Sequence, residues 1–225
     1  MERRVPLFTL AGVRDADIST HPFDTEDGLG LSLLRFRREP TENIVLLVHG
    51  LTSSTDMFIM PEHRNLVSYL LDNGFGEVWS LDSRMSNRHP YNLAAHRFTL
   101  DDLACFDYPA ALREMRRHVG GSRIHVITHC LGSVSFLMSL FGGAVSGIAS
   151  VIANSVSLMP RVPLWSTARL IAVPDLVEYG LGIPYLDPQW GWAPRFTPGR
   201  TISRLVSLLH PECANPACHL LSAMW

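Results

Sequence analysis

The chain has 225 residues, 47% of them apolar and 18% charged, with a formal net charge of −2. That length supports one domain with a sizeable core, or one domain carrying an insertion, and the composition excludes a disordered chain. There is no basic run and no basic–aromatic stripe, so no nucleic-acid partner is expected. All nineteen basic residues are arginine, which reads as the coding bias of a GC-rich bacterial genome rather than a functional signal.

The N-terminal "MERRVPLFTLAGVRDAD" starts basic, but its apolar stretch is short and broken and lacks a small-residue cleavage site. No signal peptide is therefore expected, and a cytoplasmic location follows. "DGLGLSLLRFRR" (27–38) alternates in its second half and predicts an antiparallel, partly exposed strand. "NIVLLVHG" (43–50) is a continuous apolar run ending in a polar turn, the pattern of a strand buried on both faces of a parallel sheet. "HRNLVSYLLDNG" (63–74) spaces Leu66, Tyr69, Leu70 and Asn73 at helical intervals, with Gly74 as the stop. "EVWSLDSR" (77–84) predicts the next strand and its polar exit.

A helix is predicted near 100–119, opened by a Thr99/Asp102 capping box and interrupted at Pro109, which should kink it or split it in two. "RIHVIT" (123–128) is a further core strand. "LGSVSFLMSLFGG" has no polar face beyond serine and predicts a helix buried nearly all round. "GIASVIANSVS" (147–157) is the next strand. The uncharged run from Cys130 to Pro160 is long enough for a membrane span, but Gly132, Gly142, Gly143 and Gly147 break it and serines stud it. Helix, Gly-Gly stop and buried strand is the better reading, with no membrane span.

Strand and helix alternating at this spacing predict an α/β fold, a three-layer sandwich with a mostly parallel sheet. The core is assigned to 1–157. Residues 158–200, rich in proline and tryptophan (Trp165, Trp190, Trp192), read as a cap laid over the sheet. Residues 201–225 supply a return helix and a Cys/Pro turn. The apolar cap suggests a small hydrophobic ester or a sterol-like ligand.

The chemistry concentrates in "HVITHCLGSVSFLM" (125–138), which puts Cys130 where a strand turns into a helix. A nucleophile elbow holds its reactive residue on such a turn, with small neighbours two positions either side. Here those five positions read Thr128-His129-Cys130-Leu131-Gly132. Gly132 fits, whereas Thr128 is bulkier than the usual glycine. A helix N-terminus aimed at the sulfur favours the thiolate. The competing reading is a small apolar filler, since free cysteine is often buried. "VHGLTSSTDMF" after the strand at 44–48 supplies a second element. Acyl transfer needs two N–H groups aimed at the developing oxyanion. Leu131 N–H is one candidate, and Leu51 N–H, after His49 and Gly50, is the other. An ordinary strand-ending turn is the alternative.

"LLVHGLTSS", "VWSLDSR" and "VITHCLGS", in this order and spacing, resemble the α/β-hydrolase superfamily. More narrowly, "HGLTSSTDMFIMPEHRNLVSYLLDNGF", "LDSRMSNRHPYN" and "THCLGSVSFLMSL" resemble the hydrolase-like module appended to bacterial cholesterol-oxidase-like GMC flavoproteins. That resemblance implies a flavoprotein partner. No flavin-binding Gly-rich segment is present, so no cofactor is expected here. The resemblance to the superfamily implies Cys130 as nucleophile, Leu51 and Leu131 as oxyanion donors, and His49, Gly50, His129 and Gly132 as supporting residues.

The base is harder to place. In the superfamily the acid follows the seventh strand and the histidine the eighth, and strands are predicted here only through the sixth, at 147–154. Neither residue can be carried over, and a chain that stops early, with an unpaired edge at its last strand, is the simplest expectation. His129 should point to the face opposite Cys130. His210 and His219 would have to fold back, and Asp82 is a possible acid. His210, Cys213, Cys218 and His219 could hold zinc, but a Cys213–Cys218 disulfide or a plain turn is preferred. "NRHPYN", with Arg84, Arg88 and His89, could line a pocket but reads better as a solvated loop.

The function expected is an esterase- or thioesterase-like acyl hydrolase, or an acyltransferase, with a cysteine nucleophile. A polyester-synthase-like acyltransferase is one alternative, because those enzymes also use cysteine in this elbow. A catalytically silent interaction module is the other.

Overall fold

The computed structural model describes residues 12–51, 53–61, 64–89 and 97–156, and beyond these 164, 167, 179–180, 190, 194 and 196–209. Backbone proximity divides the chain into two units, Met1–Leu158 and Met159–Trp225.

The first unit is built on one six-stranded sheet. In chain order its strands are β1 (Asp17–Asp24), β2 (Gly30–Arg37), β3 (Asn43–Val48), β4 (Glu77–Asp82), β5 (Arg123–His129) and β6 (Ile148–Asn154). Across the sheet the order is β1-β2-β4-β3-β5-β6. β1 and β2 run antiparallel, β2 pairs antiparallel with β4, and β4, β3, β5 and β6 are mutually parallel. The helices are α1 (Leu66–Asp72), α2 (Leu100–Asp102), α3 (Tyr108–Val119) and α4 (Leu131–Phe141).

Alternation along the central strands divides the core into two halves. Leu46 and Val48 of β3 and Trp79 and Leu81 of β4 pack with Tyr108, Leu112 and Met115 of α3 and Phe136 of α4. Val45, Leu47 and Val78 pack on the opposite face with Val67, Leu70 and Leu71 of α1. Because β3 is covered on both sides, its sequence is a continuous apolar run rather than an alternating one. Helices on both faces of a mostly parallel open sheet make the three-layer α/β sandwich expected from the sequence.

Three local features differ from expectation or sharpen it. β1 was not foreseen, because "DISTHPFD" is polar, contains Pro22 and lies mostly exposed, as an edge strand tolerates. The capping box at Thr99 and Asp102 is present, and the Pro109 break takes the form of a π-turn over Leu103–Asp107 joining α2 to α3. α4 is not buried all round: Gly132, Ser133, Ser135, Phe136 and Ser139 face inward, while Val134, Leu137 and Met138 are half-buried and Phe141 is 77% exposed. Its serines make an apolar outer face possible by bonding inward. Ser135 Oγ donates to Leu131 O at 3.0 Å and pairs with the Tyr108 hydroxyl at 2.6 Å, and Ser139 Oγ donates to Ala104 O at 2.6 Å.

In the second unit, the described helix is α5 (Pro198–Leu209). Trp190 lies against Gly199, where an added Cβ would meet its indole at 2.6 Å. Trp165 and Trp192, expected in a cap, and His210, Cys213, Cys218 and His219 lie outside the described residues. Among the described residues no helix is long and apolar enough to cross a membrane.

Candidate active site

Cys130 occupies the one-residue turn between β5 and α4, with φ 53° and ψ −124°. A residue with a Cβ avoids that region, and holding one there costs on the order of 1–3 kcal/mol. The surrounding bonds hold it. Cys130 N donates to Asn154 O at 2.9 Å, tying the turn to the end of β6. Ser133 N donates back to Cys130 O at 2.9 Å, starting the helix. Cys130 is partly exposed, and among the described residues nothing hydrogen-bonds its sulfur.

The two predicted small neighbours explain themselves differently. Gly132 faces the end of β3: a Cβ there would lie 2.2 Å from His49 O and 3.1 Å from Val48 Cγ1. Thr128 is fully buried and replaces close approach with a hydroxyl chain. Its Oγ1 donates to Ser133 Oγ at 2.9 Å, which donates to Asn154 O at 2.8 Å. On the β3 side, a Cβ on Gly50 would lie 2.9 Å from Cys130 Cβ and 3.2 Å from His129 O. The bend after β3 and the bend after β5 are therefore in backbone contact at Gly50. Leu51 follows directly and is 39% exposed. Leu131 is the first residue of α4, so its N–H has no acceptor within the helix.

His49 is fully buried and fully used. Its Nδ1 lies 2.8 Å from Gly50 O, and its Nε2 accepts from Ser83 N at 3.2 Å. Those two bonds define a neutral Nδ1–H tautomer with no lone pair left over. Burial holds its pKa below the usual imidazole value, against the opposing pull of the Asp82 charge. His49 thus braces the loop and is not a free base. The His129 ring sits beside Gly50, with its Cδ2 3.5 Å from where a Cβ would be, and has no hydrogen-bond partner among the described residues.

The β4 exit overturns two expectations. Asp82, considered as a catalytic acid, is committed to structure: its Oδ1 accepts from Thr55 N and Ser86 Oγ, both at 2.9 Å, and its Oδ2 accepts from Thr55 Oγ1 at 3.1 Å. The loop of Arg84, Arg88 and His89 is not solvated. The Arg84 side chain is 5% exposed and forks between Asp107 and Asp27, with its Nε 2.8 Å from Asp107 Oδ1 and NH1 2.9 Å from Asp27 Oδ2. Burial works against its charge, but the bonds to Asp107 and Asp27 outweigh it and raise its pKa above the usual guanidinium value. Arg88 holds Asp56 in the turn Thr55–Phe58, and His89 Nε2 lies 2.9 Å from Asp82 O. These contacts clamp the segment after β3 onto the exit of β4. The partners lie far apart in sequence, and only the arginine and aspartate content of the loops hints at them.

A mostly parallel sheet of this order, with a strained residue at the β5–α4 turn and the β3 loop against it, defines the α/β-hydrolase fold. No family model matches the chain. Among curated proteins it is similar to the rat gastric triacylglycerol lipase, 28% identical over 123 residues, covering 48% of this chain and 31% of the lipase. It is also similar to yeast sterol esterase 2, 22% identical over 166 residues, covering 65% of this chain and 31% of the esterase. The chain thus spans about a third of the length of these relatives. Among solved structures, a Pyrococcus furiosus esterase superposes with a TM-score of 0.53 at 20% identity, covering 82% of this chain and 65% of that one. A second crystal form gives 0.52 at 23% identity, covering 68% and 55%.

Proposed function

We propose that this chain carries the catalytic core of an acyl hydrolase acting on hydrophobic esters or thioesters, with Cys130 as the nucleophile. The observation that carries the reading is the positive φ of Cys130 at the head of α4, with Gly50 and Gly132 packed where a larger residue would clash. The likeness to lipases and a sterol esterase supports an apolar acyl substrate. The Cys130 thiolate attacks the carbonyl carbon, and the oxyanion is held by the N–H groups of Leu51 and Leu131. Collapse of that intermediate expels the alcohol or thiol and leaves a thioester on Cys130, which water then hydrolyses. The protons move through a histidine other than His49, whose two nitrogens are both engaged; it lies outside this chain or is one of the chain's other histidines.

That engagement also favours a second reading, a silent interaction module that works beside a GMC-type, cholesterol-oxidase-like flavoprotein. A polyester-synthase-like acyltransferase shares the first half of the chemistry and differs in transferring the acyl group to a hydroxyacyl acceptor instead of water. Labelling with a thiol-directed acylating probe at neutral pH separates a live nucleophile from a silent one. Cys130 is expected to label well ahead of Cys105, Cys213 and Cys218. Equal, slow labelling of all four cysteines would leave the silent module standing.

A further inference from the structure

His21, Glu114 and His118 meet on the side of the sheet where α3 covers β1, and the proposed reaction uses none of them. Glu114 and His118 are four residues apart on α3 and so share one face of the helix. His21 comes from the middle of β1. One ligand atom from each residue lies within 4.8 Å of the other two. His118 Nε2 is 2.9 Å from Glu114 Oε1, and the two imidazole rings are 4.3 Å apart, edge to face at 61°.

The surroundings hold these side chains in place. The fully buried Trp79 ring lies beneath both histidines, 4.9 Å from His21 and 5.9 Å from His118. Ser19 Oγ lies 2.9 Å from His21 Nε2, and Arg117 holds the second carboxylate oxygen of Glu114 at 2.7 Å. Such outer partners orient metal ligands and fix their protonation.

We propose that His21, Glu114 and His118 bind one divalent transition-metal ion of the zinc type, clipping the edge strand β1 to α3. Two imidazoles and a carboxylate suit zinc, with bonds of about 2.0–2.2 Å and a fourth position open to water. At the tetrahedral angle those lengths put ligand atoms about 3.3 Å apart. The ligand atoms close to that spacing from the observed one on binding, with the ion replacing the His118–Glu114 hydrogen bond.

Zinc titration of the full chain by calorimetry under reducing conditions tests the site, with Co²⁺ as a spectroscopic probe. One saturable equivalent is expected. His21→Asn or His118→Asn should each weaken it at least about tenfold, as should Glu114→Gln, which keeps the shape and the helix. Zinc should raise the melting temperature of the wild type but not of the His21→Asn/His118→Asn double variant. The Co²⁺ form should show no thiolate charge-transfer band, and Cys213→Ser/Cys218→Ser should bind zinc as well as the wild type. No saturable binding below millimolar zinc would overturn the proposal. So would full retention of the site in the double histidine variant, or a thiolate band that disappears with the cysteine pair.

Discussion

Replacing Gly132 with alanine tests whether the β3 and β5 bends are held at backbone contact. The added Cβ would sit 2.2 Å from His49 O, where atoms of this kind stay beyond 3.0 Å. The obstacle is a main-chain carbonyl at the end of a fully buried strand, flanked by Val48 Cγ1 at 3.1 Å, so no side-chain rotation relieves it. Either α4 or the end of β3 must move. The cost falls at the upper end of the overpacking range, about 3 kcal/mol. For a domain of this size that lowers the melting temperature by about 6–12 °C. Gly121→Ala is the matched control: a Cβ there meets nothing within 4 Å, and stability should stay within about 0.5 kcal/mol of wild type. Circular dichroism melts of the three proteins decide the matter. If Gly132→Ala melts with Gly121→Ala, the two bends are not in tight contact, and the packing of Gly50 against Cys130 loses its support.

At position 130 itself the ordinary ranking of alanine over glycine should invert. Cys130→Gly should be more stable than Cys130→Ala by about 1 kcal/mol, because only glycine adopts φ 53° without strain; equal urea midpoints would refute the strain. Arg84→Ala strands the buried Asp107 carboxylate and should cost about 3–5 kcal/mol in urea unfolding, whereas Arg84→Met with Asp107→Leu should recover much of it. A loss under about 1 kcal/mol for Arg84→Ala would remove the loop clamp from the account. Burial depresses the His49 pKa, so below its ordinary value of 6.5 the unfolded chain binds a proton that the native chain refuses. Stability should therefore be complete above that pH and fall as pH drops through the window beneath it, by up to about 1.4 kcal/mol per unit. His49→Asn should flatten that slope, and an unchanged slope would move its origin elsewhere.

Legibility in the sequence tracked burial and locality. β3 was readable because a strand covered on both faces is apolar nearly throughout, and β5 because its buried positions alternate at Ile124, Val126 and Thr128. The turn from β5 into α4 at Cys130 was readable because its parts lie within five consecutive residues, Thr128 to Gly132. β1 was not, since an exposed edge strand has no hydrophobic period to betray it. Nor was the role of the arginine loop. Arg84 meets Asp27 across 57 positions and Arg88 meets Asp56 across 32, and charge content gives a sign but not a partner. Read alone, charged residues flanking a turn look solvated, which is the common case. The exception arises because the β4 exit is covered by the segment after β3 and by the π-turn that carries Asp107.

Thr128 is the place where the sequence departs from the usual elbow, and the structure gives the departure a physical logic. An elbow needs the helix and the preceding strand to cross closely, and two glycines achieve that by removing side chains. Here only Gly132 works that way, against His49 O. On the strand side the gap is filled instead, by a hydroxyl that bonds Ser133 Oγ and through it Asn154 O. One chain of two hydrogen bonds thus ties β5, α4 and β6 together immediately behind Cys130. Because Ser133 both accepts and donates, an apolar residue at 128 or 133 leaves buried polar groups unpaired, whereas a glycine at 128 leaves a hole. Threonine and Ser133 are therefore a matched pair, and the bend that presents the sulfur rests on them as much as on the glycines that frame it.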